Sequence, residues 1–119
     1  MKEFYAPHFE DYKRLAFSDE IYSILDSFKS LALKVRTVDA KLIFAGNGAS
    51  AAISAHAAVD FTKQAKVRGI TFNEADLITC YSNDYGYENW ISEAIKSFAE
   101  KSDAVVLTSV SGESPSIVN

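Results

Sequence analysis

The chain has 119 residues, a formal net charge of −4 and nearly half apolar side chains, the composition of one ordinary globular domain with a modest core. Acidic and basic residues are interspersed, which argues against a nucleic-acid-binding face, and no apolar run reaches membrane-spanning length, so no membrane partner is expected. The N-terminus lacks the apolar stretch of a secretory signal. The single cysteine, Cys80, excludes an internal disulfide and a cysteine-rich zinc site. A cytoplasmic location is expected, with Cys80 a packed small side chain and not a nucleophile.

Residues 1–17 are mixed and aromatic (Phe4, Tyr5, Phe9, Tyr12, Phe17), with a helix expected from about Pro7. Ser18 reads as an N-cap, followed by Asp19 and Glu20 where carboxylates suit the helix dipole. Ile21, Ile24, Leu25, Phe28, Leu31, Ala32 and Val35 then recur at helical spacing. Tyr22 and Leu33 fall off this stripe. The helix therefore has either one wide core-facing stripe or a second apolar contact against a partner subunit.

Residues 41–50, Lys-Leu-Ile-Phe-Ala-Gly-Asn-Gly-Ala-Ser, organise the rest. Residues 42–45 form a short apolar run with a β-favouring Ile-Phe pair, a buried strand. Gly46-Asn47-Gly48 tolerates left-handed backbone angles and lets the chain turn sharply into an alanine-rich helix over 49–63. Strand, glycine turn and helix N-terminus together offer unpaired N–H groups and a positive dipole end to an anion, and Ser50 adds a hydroxyl. The same geometry also serves as a plain βα connection without a ligand. On the helix, Ala51, Ala55, Ala58, Phe61 and Thr62 form a small-residue side suited to lying close on a sheet. His56, Asp60 and Lys63 project from the other side. An imidazole and a carboxylate at that spacing can share a metal or do acid–base work, or be a solvated ion pair; two ligands are too few for a metal site.

Residues 67–72 are a second strand. Residues 73–86 read as a long, polar, turn-rich connection that Leu77, Ile78 and Tyr81 keep ordered; Asp84 in it either faces a site or caps the next helix. That helix starts near Tyr87 and turns Trp90, Ile91, Ala94, Ile95 and Phe98 to the core. A third strand over 103–108 ends in Ser109-Val110-Ser111-Gly112-Glu113-Ser114-Pro115-Ser116, where Ser114 fits an N-cap and Pro115 the first helical position. The αβαβαβα pattern implies an α/β fold with a parallel doubly wound sheet, whose ligands bind at the carboxyl ends of the strands. Both special loops fall there. Two polar, small-residue loops at neighbouring strand ends favour an anion site over packing alone.

In order, Gly46-Asn47-Gly48-Ala49-Ser50, His56, Asn83-Asp84-Tyr85-Gly86 and Ser109-Val110-Ser111-Gly112-Glu113-Ser114 resemble the successive signatures of the SIS (sugar isomerase) domain family, on its phosphoheptose isomerase branch. The resemblance runs over about 41–119. It implies a Rossmann-like phosphosugar domain at 41–119, preceded by a helical oligomerisation segment at 1–40 and assembled as a homotetramer. It further implies aldose–ketose isomerisation of a phosphorylated sugar through an enediol(ate). Ser109, Ser111 and Ser114 would hold the phosphate. Asn47, Gly48, Ser50 and Asp84 would line the sugar site. Asp60 would be the catalytic base, with His56 its acid–base partner or, as in some members, a zinc ligand that Asp60 joins.

The chain departs from the family at definite positions. Asp60 stands where the family has glutamate, one methylene longer; Gln64 stands where it has arginine; Val110 replaces the threonine between the loop serines. Glu113 adds a carboxylate that would repel phosphate unless turned outward. The family's second catalytic group, a histidine on a C-terminal helix, has no counterpart. The reading from these residues is the N-terminal part of an isomerase, inactive as 119 residues alone. The alternatives are a non-catalytic SIS module that binds a sugar phosphate and regulates a partner, and a pure oligomerisation domain.

Overall fold

The computed structural model describes residues 1–119 and divides into two units, Met1–Ala32 and Leu33–Asn119. In the first, helix α1 (Lys2–Ala16) starts ahead of Pro7, which lies inside it. The proline withholds one N–H from the helix ladder, so it marks a weak turn and not the start. No residue of α1 is buried. Helix α2 (Asp19–Thr37) starts where the sequence places it, with the Ile21 N–H donating to Ser18 Oγ at 3.4 Å. Along its first part Tyr22, Ile24, Leu25 and Leu31 are exposed, and Ile21 and Phe28 half-buried.

The second unit is built on a parallel sheet in the order β2-β1-β3, from β1 (Lys41–Gly46), β2 (Arg68–Thr71) and β3 (Ala104–Thr108). β1 is central, and everything from Leu42 to Gly46 is buried. Its side chains alternate between the faces. On one face Ile43 and Ala45 join Phe72, Trp90, Ile91 and Ala94 in the main core. On the other, the Phe44 ring lies 5.4 Å from that of Phe61. Helix α3 (Ala49–Asp60) and a widened turn at Phe61–Ala65 return the chain to β2. Helices α4 (Ala75–Tyr85) and α5 (Trp90–Phe98) lead from β2 to β3, and a short helix α6 (Pro115–Val118) follows.

Three further expectations change. Residues 73–86 are mostly helix α4 and not a turn-rich connection. Leu77, Ile78 and Tyr81 recur three and four apart and pack on the core, while Asp76, Thr79, Asn83 and Asp84 face outward; Thr79 bonds back to the Ala75 carbonyl at 2.7 Å. Cys80 belongs to that outward side and is exposed, not packed. On α3 the face against the sheet is Ser50, Ser54 and Ala58, with Ala51, Ala55 and Phe61 half-buried and Thr62 exposed. A serine serves there because its hydroxyl finds Thr108 Oγ1 at 3.4 Å.

At the amino ends of β1 and β3, Asp103 is clamped by its neighbours. Its Oδ1 accepts the Lys41 N–H at 2.9 Å; its Oδ2 accepts the Glu100 N–H at 2.8 Å and faces Lys41 Nζ at 2.5 Å. Burial alone would raise its pKa. The hydrogen bonds from the Lys41 ammonium and the two backbone N–H groups, with the lysine's charge, outweigh burial and hold the carboxyl below the usual aspartate value.

Candidate functional site

Because the strand order is 2-1-3, the chain runs from the central strand β1 to β2 on one side and then crosses back to β3 on the other. The crevice outside the carboxyl ends of β1 and β3 is thus the topological switch point, where ligands settle in such sheets. Two glycines shape it. A Cβ on Gly46 would stand 2.8 Å from the Ser50 carbonyl carbon, so the first turn of α3 can ride over the strand end only without one. Gly48 has φ +55° and ψ −123°, a conformation that side chains resist. The Ser50 and Ala51 N–H groups donate to the Asn47 carbonyl at 3.0 and 3.3 Å. Those of Gly48 and Ala49 have no intrachain acceptor and stay available to an anion.

A cavity of about 290 Å³ opens there, lined by Asn47, Ala49 and Ser50 from the first loop and by Thr108, Ser109, Val110, Ser111 and Ser114 from the second. Ser109 Oγ accepts the Gly112 N–H and Ser111 Oγ the Glu113 N–H, both at 3.1 Å. These bonds fix each oxygen and leave its O–H free to donate. No lysine, arginine or histidine lines the cavity. An anion would be met by hydroxyls, N–H groups and the positive end of α3. Glu113 is exposed and outside the lining, so its carboxylate does not oppose that role. Asn47 is held at both ends: Nδ2 donates to the buried Ser116 Oγ at 2.8 Å, and Oδ1 accepts from the Tyr87 hydroxyl at 3.1 Å.

The structure therefore gathers Asn47, Ser50, Ser109, Ser111 and Ser114 at one cavity, with Gly48 between two of them. It does not bring in Asp84, which is exposed on α4 and accepts from Asn83 Nδ2 at 2.9 Å. Nor does Asp84 cap the next helix, which Asn89 precedes. Asp84 lies inside α4 and not in the loop the sequence suggested, which is why it points elsewhere. His56 and Asp60 form an exposed pair, Nε2 to Oδ2 3.4 Å, outside the cavity lining. Along the axis of α3 they lie about 9 and about 15 Å beyond Ser50. Thr108 and Val110 line the cavity and Tyr87 and Ser116 hold Asn47, roles the sequence reading missed. The position of Thr108 at the end of a parallel strand was the available signal; for Tyr87 and Ser116 there was none.

No family model matches the chain. Among curated proteins, the phosphoheptose isomerase of Maridesulfovibrio salexigens is 29% identical, over 93% of this chain and 53% of its own length. That of Akkermansia muciniphila is 30% identical, over 84% of this chain and 63% of its own. Among solved structures, phosphoheptose isomerase GmhA from Neisseria gonorrhoeae superposes with a TM-score of 0.83 at 26% identity, covering 98% of this chain and 65% of that one. This chain is a homologue of the phosphoheptose isomerases. Its Rossmann-like body is of the SIS type, and it spans between about half and two thirds of the length of these relatives.

A zinc ion, which the resemblance brings with it for some phosphoheptose isomerases, is not matched by the donors present. His56 and Asp60 are two ligands, and no group of three or more histidine, cysteine, aspartate or glutamate side chains could hold a metal ion. A tetrahedral zinc site needs three or four protein ligands.

Proposed function

We propose that this protein is a phosphosugar isomerase of the phosphoheptose type, interconverting aldose and ketose by moving a proton between adjacent carbons through an enediol(ate). The observation that carries this reading is the cavity at the switch point, where serine hydroxyls with oriented oxygens meet unclaimed N–H groups. Ser109, Ser111 and Ser114 hold the phosphate; Asn47, Gly48 and Ser50 bind the adjoining sugar. Phosphate binding then supplies energy remote from the reacting carbons that orients them. An extended chain advances about 1.2 Å per bond, so C1 and C2 of a heptose 7-phosphate lie about 8–10 Å from the phosphorus. That length is comparable to the distance from Ser50 to His56, which takes the acid–base role at the reacting carbons; Asp60, one turn further along α3 and 3.4 Å from His56 Nε2, is the base paired with it. The curated relatives named here are all isomerases, which favours catalysis over a purely regulatory sugar-phosphate module.

Titration calorimetry with sedoheptulose 7-phosphate tests the site. Saturable binding that inorganic phosphate competes with, and that unphosphorylated sedoheptulose does not reproduce, is expected. Absence of binding for either phosphate compound would overturn the reading. The 119-residue chain is expected to bind weakly and not to turn over, because the family's second catalytic histidine has no counterpart in it. Robust isomerisation followed by NMR of the C1 and C2 protons would show that Asp60 and His56 suffice. We also infer a homo-oligomer, a tetramer by the resemblance, formed through the exposed apolar residues of α1 and α2. A clean monomer by light scattering at micromolar concentration would count against it.

A further inference from the structure

The motif Asn83-Asp84-Tyr85-Gly86 contributes no residue to the cavity. What it does is end α4. Gly86, at φ +86°, caps the helix through its N–H to the Ser82 carbonyl, and the Asn89 N–H closes the next turn on the Gly86 carbonyl at 3.0 Å. From the other side, Asn119 Nδ2 donates to the Glu88 carbonyl at 3.1 Å and ties the turn to the end of α6. Tyr87 is the residue this turn presents, and its hydroxyl reaches across to Asn47 Oδ1.

We propose that Tyr87 is a positioning residue of the anion site, fixing which end of the Asn47 carboxamide faces a bound phosphosugar; the inference rests on the phosphosugar reading above. A carboxamide presents a donor at one end and an acceptor at the other, and rotation by half a turn exchanges them. Facing the sugar beside its phosphate, N–H donates to a sugar oxygen and is drawn to the nearby negative charge, whereas C=O is repelled by that charge. With Tyr87 donating to Oδ1 and Ser116 accepting from Nδ2, the amide oxygen is committed and the second Nδ2 proton stays free at the cavity that Asn47 lines. Ser116 is buried at 4% exposure, whereas Tyr87 is more than half exposed, so Tyr87 acts as the adjustable member. The bridge also joins the glycine turn after β1 to the segment after β3, the two halves of the site.

The test is a double-mutant cycle on the full chain with Asn47→Ala and Tyr87→Phe, reading sedoheptulose 7-phosphate affinity by amide chemical-shift titration. Tyr87→Phe keeps the ring and removes only the hydroxyl, so the thermal midpoint should stay put. It should weaken binding about 3- to 10-fold, the range for one hydrogen bond. Asn47→Ala should weaken it at least as much, and the double variant no more than Asn47→Ala alone. Without ligand, Tyr87→Phe should shift the Asn47 side-chain amide signals while leaving those of Ser109 and Ser111 in place, which loss of general packing would not do. Unchanged affinity in Tyr87→Phe with a weakened Asn47→Ala, or additive losses in the double variant, would overturn the positioning role and leave the site standing. Unchanged affinity in Asn47→Ala would overturn the role of Asn47 in the site and this inference with it.

Discussion

At the amino ends of β1 and β3 the Asp103 carboxylate is fully engaged, by the Lys41 ammonium and by two backbone N–H groups, and its side chain is almost wholly buried. At the carboxyl ends of the same two strands, the Gly48 and Ala49 N–H groups have no intrachain acceptor, and the hydroxyls of Ser109 and Ser111 accept one bond each while keeping a proton to give. One end closes its polar groups on one another. The other holds donors in place and leaves them open. Open donors contribute nothing to folding until something binds, so the fold's polar stability should come from the first end and its ligand affinity from the second.

Removing the closed end should have the largest effect. Asp103→Ala strands the mostly buried Lys41 and two N–H groups, and should cost about 3 kcal/mol or more in chemical denaturation. Phosphosugar affinity of the fraction that stays folded should hardly change. A loss below about 1 kcal/mol would mean that the clamp is not a principal source of stability.

The same carboxyl sets a pH limit. Its folded pKa lies below the ordinary value of 3.8, so the stability it contributes is complete above that value and is lost as pH falls through the folded pKa. Acid unfolding of the wild type should therefore steepen below about pH 4, the unperturbed aspartate range, and Asp103→Asn should flatten that limb. An unchanged acid limb would place the controlling carboxylate elsewhere.

Gly46→Ala tests where the two ends meet in one strand. Its new methyl would fall against the backbone of Ser50, and the first turn of α3 must lift. Overpacking of this kind costs about 1–3 kcal/mol. It should also weaken phosphosugar binding, because the lifted turn carries Ser50 and the free N–H groups. Loss of stability with intact binding would show that the turn can move without disturbing the site.

The closed and open ends were unequally legible in the sequence. The Gly46-Asn47-Gly48 turn and the serine loop after β3 were readable because glycine and serine have local backbone meanings that do not depend on what folds against them. β1 and the Ser18 cap fall where local signals place them. The Asp103 clamp was not readable, since it joins residues 62 positions apart and neither has a local signal. Helix α4 was missed because Asn, Asp, Ser and Thr at 73–84 carry turn propensity, which the core packing of Leu77, Ile78 and Tyr81 overrides. Misplacing α4 put Asp84 in a loop at the cavity and hid the contact of Tyr87 with Asn47. Pairs close along one helix, such as His56 and Asp60, were visible, but their distance from the cavity was not.

Within the open end, Ser111→Ala should lower phosphosugar affinity by about 1.5–3 kcal/mol, the value of a hydrogen bond to a charged group. Stability should move by less than about 0.5 kcal/mol, because Ser111 is exposed and holds only the Glu113 N–H of its own loop. Unchanged affinity by calorimetry would remove Ser111 from the phosphate site.

Asp60 belongs to neither end, and it carries the smallest expected effect on stability. It is exposed on α3, its Oδ2 3.4 Å from His56 Nε2 in a solvated contact of the kind that contributes little. Asp60→Asn keeps the shape of the side chain and should change unfolding free energy by less than about 0.5 kcal/mol. Sedoheptulose 7-phosphate affinity should also hold within about threefold, because in the proposed reading the serines supply the ground-state grip and a base acts on the transition state. The informative measurement is proton exchange. Taking a proton from the carbon beside the carbonyl needs a base and not the second catalytic group, so deuterium from solvent should enter C1 of the bound ketose slowly with the wild-type chain and not with Asp60→Asn. If both exchange alike, Asp60 is a surface ion-pair partner and the base lies elsewhere. If instead Asp60→Asn weakens binding tenfold or more, the sugar itself reaches along α3 to that carboxylate, and the cavity between the strand ends is only the phosphate-holding part of a longer site.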